Sequence, residues 1–199
     1  MLNSHAPMVR AYTEWANRYG LDPAHVLRES QGRRTIDSMR ALAPPGVDIE
    51  SDALALMQRE RDDMDGVFEI PGAGALLRSL PADRWAIVTS ADRKLALNRI
   101  QAAGLPIPAL LVSSEDVPHG KPSPDCFLLG ARGLNVSADR CVVFEDAPAG
   151  IEAGWRAGAR VIAIASPLTQ GKLGNQDWLN DLSGMTASVE GNDLVLSID

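Results

Sequence analysis

The alternation of helical segments with short apolar runs, which begins near Gly72, constrains the fold of this chain more than any other feature. The apolar runs occupy residues 85–89, 109–112, 141–144 and 161–165. Strands that are buried on both faces have continuous apolar sequences, and a helix between two strands makes those strands parallel. The pattern therefore predicts an α/β fold with a parallel sheet between helical layers. Residues 194–198 are expected to add an edge strand.

Residues 6–62 have a different pattern, with apolar positions at helical spacing and no convincing strand. Val9, Tyr12 and Trp15 recur every three residues, which is typical of one face of a helix. Gly20 predicts the end of that helix, and a later helix is expected at about residues 51–61. A helical unit therefore precedes the α/β part of the chain.

The composition of the chain limits the kinds of molecule that it can bind and the compartment in which it is expected. With 199 residues, 45% of them hydrophobic, the chain can bury one core and a small accessory domain. A formal net charge of −7 argues against general nucleic-acid binding, which needs a basic surface. No apolar run is long enough to span a membrane, and the N-terminus has no signal pattern. The sequence therefore predicts a cytoplasmic monomer without nucleic-acid or membrane partners, with Cys126 and Cys141 both reduced.

Ser90 is the first residue with candidate catalytic chemistry. It follows the apolar run at 85–89 and precedes a helix predicted over 92–101. Ligands of open α/β sheets bind at the carboxyl ends of the strands, and a hydroxyl beside the N–H groups of a helix start can hold a phosphoryl oxygen. The alternative is that Ser90 only caps the helix.

A lysine and two acids complete the pattern. Lys121 lies between Gly120 and Pro122, which restrict the backbone, and its ammonium could neutralise a transferring phosphoryl group. Glu145 and Asp146 end the apolar run at 141–144, where carboxylates could bind Mg²⁺. Taken alone, the lysine could be a solvated charge and the acids could favour the start of the next helix. Together the three signals indicate a Mg²⁺-dependent phosphoryl-transfer site.

This order of hydroxyl, lysine and acid pair resembles the haloacid dehalogenase superfamily. Residues 143–154, Val-Phe-Glu-Asp-Ala-Pro-Ala-Gly-Ile-Glu-Ala-Gly, and residues 120–124, Gly-Lys-Pro-Ser-Pro, resemble its sugar-phosphate and glycerol-phosphate phosphatase branch. The likeness extends over essentially the whole chain. It implies a Rossmann-like parallel-sheet core at 67–199, a helical cap domain at 6–66, and a remnant of the core's N-terminus at 1–5.

The resemblance also implies a mechanism. One aspartate attacks phosphorus to form an aspartyl-phosphate, and a second protonates the leaving oxygen and then activates water. The supporting roles implied for this chain are phosphoryl contacts from Thr89, Ser90 and Ala91, a charge from Lys121 on the nucleophile and phosphate, Mg²⁺ binding by Asp146, and a second or water-mediated metal contact by Glu145.

The motif that carries both catalytic aspartates is not found where the resemblance requires it. The superfamily opens with an apolar strand that ends in Asp-x-Asp-Gly-Thr, whereas this sequence begins Met-Leu-Asn-Ser-His. We therefore expect that the chain starts just downstream of that motif, that the first, central strand is missing, and that the chain is inactive. Residues 63–67, Asp-Met-Asp-Gly-Val, nearly spell the motif, but they follow a charged helical tail and not a strand. They are rejected as the nucleophile.

The segment between residues 28 and 40 offers a hint about substrate, because its arginines outnumber its acids in an otherwise acidic chain. It resembles the Gly-Arg-x-x-x-Asp segment that faces the active site in this branch. Arg33 is the candidate for binding substrate charge and Asp37 the candidate for binding a hydroxyl. The alternative is an exposed helix start with a salt-bridged face.

Three functions follow from these observations. The leading hypothesis is a Mg²⁺-dependent phosphatase of small sugar or polyol phosphates. The second is a phosphosugar mutase of the β-phosphoglucomutase type, and the third is a non-catalytic remnant that binds a phosphorylated ligand.

Overall fold

The computed structural model describes residues 1–165, 177–191 and 193–198. Its elements, in chain order, are β1 (Leu2–Asn3), α1 (His5–Arg18), α2 (Pro23–Ser30), α3 (Thr35–Leu42), α4 (Ile49–Asp62), β2 (Phe68–Glu69), α5 (Ala73–Ser79), β3 (Ile87–Val88), α6 (Arg93–Ala102), β4 (Leu111–Val112), α7 (Asp125–Gly133), β5 (Val142–Glu145), α8 (Pro148–Arg156), β6 (Arg160–Ile164), β7 (Trp178–Leu179), β8 (Met185–Glu190) and β9 (Asp193–Ile198). A short 3₁₀ turn, Ala138–Arg140, precedes β5. Among the helices of the described residues, none has the length and hydropathy of a membrane span.

Helices α1 to α4 share an apolar core of their own, to which Tyr12, Trp15, Val26 and Met39 contribute buried side chains. The helical spacing of Tyr12 and Trp15 in the sequence places both of them on the inner face of α1. The chain turns after α1 at Gly20, whose φ of 65° lies in the left-handed region that glycine adopts without strain. This helical unit lies at the residues where a cap is predicted, and we refer to it below as the cap.

Two short strands join the ends of the helical unit. β1 pairs antiparallel with β2, so that Leu2 lies opposite Glu69 and Asn3 opposite Phe68. The sequence analysis predicted neither strand, because two residues are too few to show an alternating pattern. The pairing brings the segment before α1 beside the segment after α4, and the helical unit is therefore an insertion between two neighbouring chain segments.

The predicted apolar runs form parallel strands, which confirms the α/β fold class. β3 pairs with β4, and β5 pairs with β6, which in turn pairs with β7. Helix α7 packs against β3 and β4, and α8 packs against β5 and β6. One buried cluster joins the two groups, with side chains from Phe127, Val143, Ile151 and Val161. Cys126 is buried beside them, and both cysteines are free thiols.

The C-terminal strand differs from its prediction. β9 does not extend the parallel sheet but pairs antiparallel with β8, with Met185 opposite Ile198 and Glu190 opposite Asp193. Residues along β8 alternate at first between partly buried and exposed, which is typical of a hairpin with one solvated face. Gly191, with a φ of 62°, lies in the connecting turn.

The expected position of the central strand is open in the described part of the chain. Ile87 and Thr89 donate their N–H groups to the carbonyls of Leu110 and Val112 in β4, at 3.1 and 2.9 Å. Because successive residues of a strand point their backbone groups to opposite sides, those of Val88 point away from β4. No described strand pairs with that edge of β3.

β5 has an equivalent open edge. Arg160 of β6 donates its N–H to the carbonyl of Cys141 at 3.1 Å, so the backbone groups of Val142 and Phe144 point away from β6. A cavity of about 950 Å³ reaches β3, β5 and the apolar sides of α5 and α7. Two parallel strand groups thus face one cavity, each with an edge that no described strand occupies.

Candidate active site

Lys121 is the most deeply buried of the predicted site residues that carry charge, with 5% of its surface exposed. Its Nζ donates a hydrogen bond to Oε1 of Glu145 and lies 4.7 Å from the centre of the Phe127 ring. Burial disfavours the charged ammonium, but Glu145 outweighs that effect and raises the pKa of Lys121 above its usual value. Lys121 is therefore a fixed internal cation and not a solvated surface charge.

Both carboxylate oxygens of Glu145 are engaged. Oε1 accepts from Lys121, and Oε2 accepts from the N–H groups of Asp146 at 2.9 Å and Ala147 at 3.1 Å. Although burial favours the neutral acid, Lys121 and these N–H groups lower the pKa of Glu145. A side chain at Gly150, on the first turn of α8, would collide with this carboxylate. In this structure Glu145 is paired with Lys121, and the metal contact predicted for it stays a prediction.

Asp146 lies between β5 and α8 and is exposed toward the cavity, where partial loss of hydration and then the neighbouring Glu145 raise its pKa. No group of three or more His, Cys, Asp or Glu side chains converges in the described ranges. Mg²⁺ is commonly held by one or two carboxylates, with water and phosphate oxygens as the other ligands. Asp146 therefore fits a Mg²⁺ ion that takes most of its ligands from water and substrate. A bound cation would reverse the pKa shift.

Ser90 does not cap α6. Its Oγ donates to the carbonyl of Gly32 in the cap at 2.7 Å, while Asp92 caps the helix by accepting from the N–H of Leu95 at 3.0 Å. The preceding Thr89 accepts from the N–H of Ala91 at 3.1 Å, which holds the loop in a tight turn. Thr89, Ser90 and Ala91 line the same cavity as Lys121 and Asp146. The structure therefore brings the predicted core residues to one cavity.

The cap loop, residues 32–37, contacts each core loop that carries a site residue. Gly32 accepts from Ser90 and packs so closely on Ala147 that a Cβ would lie 2.7 Å from the Ala147 methyl. Arg34 donates through Nη1 to the carbonyls of Val117 and Pro118, at 3.3 and 3.2 Å, in the loop that leads to Lys121. The cap is therefore closed over the core in this structure.

The two predicted cap residues have different surroundings. Asp37 forms a two-pronged ion pair with Arg34, with distances of 2.6 and 3.0 Å. Arg33 is exposed at the rim of the cavity. Sequence reasoning singled out Arg33 and missed Arg34, which makes the contacts with the core. The spacing of Arg34 and Asp37 at a helix start was the available signal, because side chains three residues apart on a helix are neighbours.

Asp63, the first residue of the near-match to the missing motif, follows the end of α4. One oxygen accepts from Nε of Arg10 and the other from its Nη2, both at 2.8 Å, and Arg59 approaches to 3.2 Å. The hydrogen bonds from Arg10 are the main reason that the pKa of Asp63 falls to about 2. A carboxylate held in this way at a helix end stabilises the cap and is poorly placed to act as a nucleophile.

A sequence model of haloacid dehalogenase-like hydrolases matches residues 4–158, more than half of the chain. The chain belongs to the haloacid dehalogenase-like hydrolase family. The match includes the Ser90 loop, Lys121 and the Glu145–Asp146 pair, so the site described above lies within the matched region.

Several relatives of this chain are phosphatases. Hexitol phosphatase A of Escherichia coli is 38% identical over 197 residues, covering 96% of this chain and 91% of that protein. Glycerol-1-phosphate phosphohydrolase 2 of Saccharomyces cerevisiae is 36% identical over 155 residues, covering 73% of this chain and 62% of that protein. A yeast 2-deoxyglucose-6-phosphate phosphatase is 31% identical over 183 residues, covering 79% of this chain and 72% of that protein.

Solved structures support the fold. The structure of CbbY from Rhodobacter sphaeroides in complex with phosphate superposes with a TM-score of 0.76 at 22% identity, covering 92% of this chain and 90% of that chain. A hydrolase from Pseudomonas syringae superposes with a TM-score of 0.72 at 24% identity, covering 82% of this chain and 79% of that chain. These similarities show a shared α/β fold.

Proposed function

We propose that this chain forms the supporting part of a Mg²⁺-dependent phosphomonoester hydrolase of small sugar or polyol phosphates. The observation that carries the proposal is the buried pair of Lys121 and Glu145, which lies beside Asp146 and shares a cavity with Ser90. Buried charges are costly to maintain, and a lysine held this way can stabilise negative charge on a phosphoryl group. The sugar- and polyol-phosphate activities of the relatives supply the substrate class.

The phosphoryl group would bind at the Ser90 loop. Ser90 exchanges the Gly32 carbonyl for a phosphoryl oxygen, and the N–H groups that follow it offer further donors. Because the Ser90 hydroxyl can donate to only one of these partners at a time, phosphate binding competes with this contact between cap and core.

The charged residues then have distinct roles. Lys121 offsets charge that develops on the phosphoryl oxygens, and its burial makes the interaction stronger than in water. Glu145 holds the lysine in place, and we assign it to that role in preference to the predicted metal contact. Asp146 would hold Mg²⁺, which when bound supplies positive charge to the phosphoryl oxygens.

The nucleophile is proposed to occupy the open position between β3 and β5. The sequence contains Asp-x-Asp-Gly once, at residues 63–66, and there the first aspartate is bound by Arg10. An aspartyl-phosphate therefore needs a carboxylate at the strand edge, and none of the residues that the structure describes supplies one there. The chain alone is proposed to be inactive, and the mutase alternative has no observation in its favour beyond the shared fold.

An assay of two proteins tests this proposal. The 199-residue chain is expected to show no phosphatase turnover above background with Mg²⁺ and glycerol or hexose phosphates. An extended chain, in which an apolar strand ending in Asp-x-Asp-Gly-Thr is joined before Met1, is expected to turn over these substrates and to lose activity with a metal chelator. Released phosphate is the measurement. Robust Mg²⁺-dependent turnover by the 199-residue chain would contradict the proposal and make Asp63 a candidate nucleophile again.

A further inference from the structure

A buried polar cluster lies where the cap helices meet α6, and the proposed chemical step does not use it. We call it the boundary cluster, and its members are Tyr12, Ser30, Thr35, Glu60, Asp92 and Arg99. All six line the cavity that also contains Ser90 and Lys121. Four belong to the cap and two to the core, so the cluster is assembled only when the cap is closed.

Ion pairs across the boundary hold the charged members in place. Arg99 of α6 contacts Glu60 of α4 at 2.7 Å, and the adjacent Arg61 contacts Asp92 at 2.9 Å. Glu60 is 4% exposed and Asp92 is 5% exposed. Two acids and two arginines thus face each other, and the local charge is balanced. A balanced site suits neutral hydroxyl groups better than a second phosphate.

Three atoms of the cluster are buried and have no hydrogen-bond partner in the described part of the chain. They are the hydroxyl of Ser30, one carboxylate oxygen of Asp92 and the Nε of Arg99. Buried polar groups in native proteins almost always have a partner, supplied by protein, ordered water or a ligand. The three atoms comprise an acceptor, a donor and a hydroxyl that can do both. A polyhydroxylated molecule can satisfy all three, because each of its hydroxyls both donates and accepts.

The cluster begins beside the phosphoryl site. Asp92 lies two residues after Ser90, and Thr35 lies three residues after Gly32, whose carbonyl binds the Ser90 hydroxyl. Thr35 in turn lies 3.3 Å from the hydroxyl of Tyr12. A molecule with its phosphoryl group at Ser90 could therefore extend its carbon chain along the boundary between cap and core.

We propose that the boundary cluster binds the hydroxyl groups of a linear polyol or open sugar chain and gives the site its preference for longer polyol phosphates. The inference rests on the proposed function and extends it, since that function assigns no residue to the hydroxyls. It predicts that sorbitol phosphate binds more tightly than glycerol phosphate, because the longer chain offers more hydroxyls to Ser30, Asp92 and Arg99.

Ser30 and Ser38 provide a matched pair of variants. Both are buried serines of the cap, but only Ser30 lines the cavity. Ser30→Ala is expected to weaken binding of terminally phosphorylated sorbitol about threefold to tenfold, the range for loss of one hydrogen bond. The affinities for glycerol phosphate and inorganic phosphate should not change. Ser38→Ala should leave all three affinities unchanged.

Phosphorus NMR titration of the 199-residue chain with Mg²⁺ measures these affinities. Equal loss for all three ligands in Ser30→Ala, or no loss for any, would overturn the inference and indicate that ordered water satisfies the cluster. If inorganic phosphate fails to bind, the proposed function is wrong, and calorimetric titration with unphosphorylated sorbitol then tests the cluster separately. Sorbitol binding that Ser30→Ala weakens would support the inference, and absence of sorbitol binding would overturn it.

Discussion

Replacing Lys121 with methionine in the extended chain is expected to abolish turnover and to lower the free energy of unfolding by about 3–5 kcal/mol. The stability loss follows from the environment of Glu145, which is buried and would lose the cation that keeps it ionised. The loss of turnover follows from removal of the positive charge beside the phosphoryl group. Denaturant unfolding and released phosphate are the two measurements.

A double variant separates these two effects. Changing Lys121 and Glu145 together to methionine replaces a buried ion pair by apolar groups, which is often neutral for stability. We expect the double variant to recover most of the lost stability and to remain inactive. Recovery of activity together with stability would show that the lysine acts only through folding, which would contradict its catalytic role.

The 199-residue chain is expected to melt well below the extended chain and to bind a hydrophobic dye. The unoccupied edges of β3 and β5 leave backbone groups such as those of Val88 and Phe144 without ladder partners from described strands. Unpaired backbone groups of this kind lower the free energy of unfolding by several kcal/mol, against a typical total of about 5–15 kcal/mol. Exposed strand edges also promote aggregation. Calorimetry and dye fluorescence of both proteins measure the difference.

The matched control is an added strand of the same length with a proline at its centre. Proline removes a ladder donor, so this strand should not fill the position between β3 and β5 and should not restore stability. If the 199-residue chain proves to be as stable as the extended chain, the proposed position of the added strand between β3 and β5 is wrong.

The parallel strands could be predicted from the sequence because a buried strand leaves a local signal. Val142 to Phe144 and Val161 to Ile164 are continuous apolar runs, and each becomes a strand at its predicted place. Lys121 and Asp146 could be singled out for a similar reason, since the turn and the strand end that hold them are encoded by adjacent residues. The pairing of β8 with β9 was not predicted, because no strand was expected at residues 185–190, although Met185, Ala187 and Val189 alternate with polar residues there.

Contacts between distant segments could not be predicted in this way. Arg34 contacts Val117 and Pro118 only because the cap closes on the core. Its spacing from Asp37 indicates the ion pair between them but not these contacts with the core. The boundary cluster likewise joins residues of five helices or helix starts. The role of Glu145 was predicted incompletely, because its pairing with Lys121 depends on how two separate loops meet.

The central claim is that the nucleophile lies on a strand between β3 and β5. The position of the phosphoryl group on the enzyme during turnover tests it most directly. The extended chain would be quenched with acid during turnover, digested and analysed by mass spectrometry for a peptide that carries one phosphoryl group. We predict that the group lies on the first aspartate of the added strand, and that changing this aspartate to asparagine removes it. A phosphoryl group on Asp63, or turnover without any phosphoryl-enzyme, would contradict the account.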